Sequence, residues 1–152
     1  MGDENIDIDS YALNLKYREN DRSIVARALL QGRLTKSKVD KIELDLLGLT
    51  VDSVVVDGEE SAFYRTSKDR YNASKLVITP KTHLSGTFTL DIRYRGVLRS
   101  MVGAGGSREG WMDTPHGFTT LNQPIGAMTF APVNNLVSDK WLFTIHSALI
   151  RS

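Results

Sequence analysis

Apolar and polar positions alternate with a period of two along most of the chain, the pattern of a strand with one buried face. Tyr11, Leu13, Leu15 and Tyr17 alternate with Ala12, Asn14 and Lys16, and Asn20-Asp21 then offers a turn. Ile24 to Leu30 fits a strand or a short helix; strand flanks and a seven-residue length favour strand. Ile42, Leu44 and Leu46 face opposite to Glu43 and Asp45, and Gly48 ends that run. Val51 to Val56 is followed by Asp57-Gly58, a type I′ hairpin signature that predicts a return strand over Ser61 to Arg65. Lys75 to Thr79 is stopped by Pro80, and in Thr87 to Tyr94 the inward set is Phe88, Leu90, Ile92 and Tyr94. Short strands with turn signals at this spacing predict an all-β fold, an antiparallel β-sandwich with little helix.

The pattern breaks twice. Residues 102 to 110 hold four glycines in nine positions and are expected to form a mobile Gly-rich loop. Trp111 to Leu121 reads as an irregular hairpin, and Trp141 to Leu149 returns to alternation through Trp141, Phe143 and Ile145. The second break, Asn122 to Trp141, neither alternates nor offers an apolar helix face. It carries two of the four prolines. A polar, irregular stretch carried by a β scaffold is where function usually sits.

Composition narrows the classes. At 152 residues with 41% hydrophobic and 24% charged positions, the chain suits one globular domain over residues 1–152. A net charge of +1 gives no electrostatic reason to expect nucleic acid or an anionic membrane, and no apolar run approaches the roughly 20 residues of a membrane helix. There is no cysteine, which excludes disulfides and thiolate metal sites. The acidic start is not a signal peptide, which favours the cytoplasm and leaves secretion open.

Little in the chain reads as chemistry. His83, His116 and His146 lie at least 30 residues apart, with no H-E-x-x-H spacing, so no zinc site is expected from them. No serine stands in G-x-S-x-G. The carboxylate pairs Asp7/Asp9 and Glu43/Asp45 alternate with apolar residues and read as solvated strand faces. Gly103 and Gly105 lack the Lys-Ser/Thr of a phosphate loop. Trp111 and the tyrosines are scattered and make no stacking platform for bases or sugars.

The run Gln123-Pro124-Ile125-Gly126-Ala127-Met128-Thr129-Phe130, continued by Pro132, Asn134-Asn135 and Ser138-Asp139-Lys140, resembles a segment of the zinc aminopeptidase family that includes aminopeptidase N and leukotriene hydrolase. Tyr11 to Leu15, Leu44 to Val54 and Leu90 to Gly96 are similar to further strands of that family's N-terminal, saddle-shaped β domain, in the same order. The family's Trp-Phe-Pro is Phe130-Ala131-Pro132 here, its Asn-Asp is Asn134-Asn135, and its His-Pro is Leu136-Val137. Its H-E-x-x-H…E and G-x-M-E-N motifs, which belong to the following domain, are absent.

The resemblance implies a non-catalytic domain that ends short at its C-terminus. Zinc and the catalytic residues belong to a following domain of the same parent, a zinc-dependent metallopeptidase. This domain would cap the active-site cleft and bind the free N-terminus of a peptide substrate through Gln123, with Pro124, Ile125, Gly126 and Ala127 shaping the backbone around it. No activity is expected of this chain alone. A domain parted from its partner also exposes apolar surface through which it could dimerise. The alternative is a free-standing β-sandwich that binds or scaffolds without any peptidase role.

Overall fold

The computed structural model describes residues 4–18, 20–46, 48–66, 74–97, 100–102, 108–114, 117–121, 132 and 142–150. Side chains are described as far as residue 97, with the exception of Ser74, and at Pro132. Every regular element in that part is a strand. In chain order these are β1 (Ile6–Arg18), β2 (Ser23–Leu34), β3 (Ile42–Leu46), β4 (Thr50–Val56), β5 (Glu59–Glu60) and β6 (Ala62–Arg65). There follow β7 (Ser74–Thr79), β8 (Thr87–Val97), β9 (Ser100–Val102), β10 (Arg108–Thr114), β11 (Gly117–Leu121) and β12 (Leu142–Ile150).

Six strands form one sheet in the order β12-β1-β2-β8-β4-β5; β3-β7-β6 and β11-β10-β9 form two three-stranded sheets. The predicted inward set is buried throughout: Tyr11, Leu13, Leu15 and Tyr17 on β1, and Phe88, Leu90, Ile92 and Tyr94 on β8. Ile24, Ala26, Ala28 and Leu30 on β2 join them, so that segment is a strand and not a helix. Ile42, Leu44 and Leu46 on β3 and Leu76 and Ile78 on β7 belong to the same apolar cluster. The large sheet and the β3-β7-β6 sheet are therefore two layers of one sandwich core, as the alternation predicts. Side-chain sizes alternate across the large sheet: Ala26 lies in register with Leu15 on one side and Tyr94 on the other. Small residues at the middle of β2 leave space for the bulkier neighbours.

Three local devices set the geometry. In β1 the buried positions step from Ile8 to Tyr11, a change of phase taken up by a register irregularity between Ile8 and Ser10. Asp57 and Gly58 both have positive φ, 48° and 85°, as the type I′ signature requires. The β3–β4 corner docks on β8, where Leu49 lies over Gly96. A Cβ on Gly96 would stand 2.9 Å from Leu49 Cδ2, and its φ of 150° suits glycine alone. Arg65 fastens the same corner from β6, donating to the Leu49 carbonyl at 2.5 Å and the Leu46 carbonyl at 2.6 Å.

Four expectations are corrected or extended. The return strand after Asp57-Gly58 pairs with β4 over Glu59 and Glu60, with one further hydrogen bond from the Ser61 N–H to the Val54 carbonyl at 2.9 Å. The chain then crosses to the small sheet, where Ala62 to Arg65 pair with β7 and Phe63 packs against the core. Packing the half-buried Phe63 against the core is the gain that an extended hairpin would forgo. At the ends of the expected Gly-rich loop, Val102 and Arg108 to Gly110 are paired strand residues. The hairpin of β10 and β11 is regular, with Thr114 opposite Gly117. Finally β12 lies parallel to β1, from Ser10 opposite Leu142 to Arg18 opposite Ile150, while the other pairs of the large sheet are antiparallel.

Candidate functional site

Strands flank the segment from Asn122 to Trp141 on both sides. β11 ends at Leu121 in one small sheet, and β12 begins at Leu142 on the edge of the large one, opposite Ser10. Between them Pro132 is buried. Gln123, Pro124, Ile125, Gly126 and Ala127 lie outside the described residues, as does His116; residues 103–107 of the glycine-rich stretch do too. His146 is a β12 position opposite Asn14.

The described polar groups hold the fold. On the outer face of the large sheet Arg27 makes a two-pronged contact with Asp91, at 2.9 Å and 2.7 Å. The hydrogen bond from Arg27 holds the Asp91 carboxyl below the usual carboxylate range, against the opposing pull of its partial burial. Arg95 reaches Asp52 at 3.0 Å on the same face. Asp57 Oδ1 accepts from the Thr89 backbone N–H at 2.8 Å, tying the hairpin turn back to β8. Burial depresses the pKa of the Arg65 guanidinium and pushes the Tyr94 phenol far above its ordinary value, because the charged form of each loses its hydration.

One carboxylate departs from the sequence reading. Asp45 is not on a solvated strand face: it is 2% exposed and lies 3.1 Å from the Lys75 ammonium, its register partner on β7. Val77, which points away from the core between Leu76 and Ile78, is fully buried as well. The outer face of the small sheet is thus covered at this point, and strict alternation carries no sign of that. Alternation on β3 reads Asp45 as exposed because it assumes one dry face per strand.

Among the described residues no three His, Asp or Glu side chains stand where they could share a metal ion. His83 contacts Asp40 through Nδ1, beside the isolated bridge between Val39 and Leu84, and both side chains are exposed. These residues do not make a zinc ligand set, which needs three or four converging donors. A small cavity of about 80 Å³ lies between the β4–β5 turn and the stretch from Pro80 to Leu84, with Asp57, Glu59, Glu60 and Lys81 on its walls. That volume admits a few waters and is far below the space of an organic ligand.

No protein-family model matches this chain, and no curated protein matches it in sequence. Solved structures match it strongly in fold. An M1 zinc metallopeptidase from Deinococcus radiodurans superposes with a TM-score of 0.85 at 24% identity, covering 98% of this chain and 33% of that one. A two-domain M1 zinc metallopeptidase solved with L-arginine bound gives 0.86 at 23% identity, over 98% and 34%. Leukotriene A4 hydrolase from Saccharomyces cerevisiae gives 0.74 at 22% identity, over 96% and 24%. The fold is that of the N-terminal β domain of M1 aminopeptidases. The chain spans about a third of the length of the metallopeptidases it matches. The solved relatives are zinc enzymes of which this chain covers one part.

Proposed function

We propose that the chain is the non-catalytic N-terminal domain of a zinc aminopeptidase. In this reading it caps one side of the active-site cleft, its partner is the catalytic domain that follows in the parent chain, and the substrate is the free N-terminus of a peptide. The observation that carries it is a fold match over 98% of this chain and only 33% of the metallopeptidase, the proportion of one domain to a whole enzyme. The in-order motifs, above all Gln123 to Phe130 with Ser138-Asp139-Lys140, support it independently.

Zinc in the following domain would supply the activated water. This chain's own part is to bind and orient. The amide oxygen of Gln123 can accept a hydrogen bond from the substrate ammonium. A neutral acceptor gives up the charge-assisted component, roughly half the strength of such a bond. Proline fixes its own φ and glycine admits positive φ, so in this reading Pro124 and Gly126 are the residue types that suit a backbone passing close to a ligand.

Purified by itself, with zinc added, the chain releases no arylamine from an aminoacyl-anilide; zinc-dependent release would overturn the proposal. In the enzyme continued from this chain, Gln123→Ala raises KM for a peptide by about 10-fold, the weight of one hydrogen bond to a charged group, and Gln123→Glu lowers it. An unchanged KM in both variants would leave Gln123 a loop-backbone partner only. Parted from its neighbour, the chain is further proposed to self-associate through the surface it would otherwise bury. Size-exclusion chromatography over a wide concentration range should show dimer, and monomer at every concentration would remove that part of the proposal.

A further inference from the structure

We draw no further inference here: the strongest candidate, the exposed patch of Val25, Val97, Lys16 and Arg93 on the outer face of the six-stranded sheet, has its neighbouring cations Arg27 and Arg95 already held by Asp91 and Asp52, and nothing in the structure shows what would cover it.

Discussion

Asp45 and Lys75 face each other across β3 and β7 with the carboxylate almost wholly out of water. A buried charge is tolerated while its partner stays, and removing one member takes that compensation away from the other. Lys75 is 28% exposed, so the effect lies between the surface and fully buried cases. Lys75→Met should cost about 2–4 kcal/mol in urea unfolding. Adding Asp45→Asn should recover most of that loss, because a neutral amide is far cheaper to bury than a carboxylate. Additive losses in the double variant would show that the two side chains are not energetically coupled. At this scale the sequence was legible where one rule governed. Tyr11, Leu13, Leu15, Tyr17, Phe88, Leu90, Ile92 and Tyr94 all went inward because period two dictates it. Asp45 was illegible, since its burial comes from what covers the far side of its sheet. Gln123 is the reverse case: its part is suggested by the neighbours that spell a family motif, not by any periodicity.

Strands were legible as elements, and their partners were not. Alternation reports that a strand has a dry face without saying which strand lies beside it. Hence Ser61 to Arg65 reads as the return arm of a hairpin, whereas the chain leaves the large sheet after Glu59 and Glu60, and Ala62 to Arg65 join the small one, where Phe63 packs against the core. The parallel seating of β12 on β1 was equally hidden, because a terminal strand can join an edge in either direction. The Leu44-to-Val54 and Leu90-to-Gly96 motifs gain a physical meaning in the structure. One supplies Leu49 at the β3–β4 corner, the other supplies Gly96 beneath it, and Arg65 binds the carbonyls of Leu46 and Leu49. The corner is where the chain crosses between the two layers, so a misfit there should loosen both. Gly96→Val drives a side chain into Leu49 and puts a β-branched residue at positive φ. About 2–4 kcal/mol of destabilisation is expected from overpacking and backbone strain together. A midpoint equal to that of the parent in chemical denaturation would mean that Leu49 simply steps aside.

For the whole molecule, the all-β sandwich followed from strand spacing and turn chemistry, and the absence of cysteine and of strong net charge removed several functional classes at once. The described residues hold the fold through ion pairs, a carbonyl-binding arginine and an apolar core, with no converging metal ligands among them. The central claim is that this chain is one part of a zinc aminopeptidase, and it is tested most directly by reading the coding sequence beyond the codon for Ser152. The account predicts an open frame that continues through a G-x-M-E-N motif to H-E-x-x-H and a downstream glutamate. A stop codon directly after Ser152 would contradict it and leave a free-standing β-sandwich in its place.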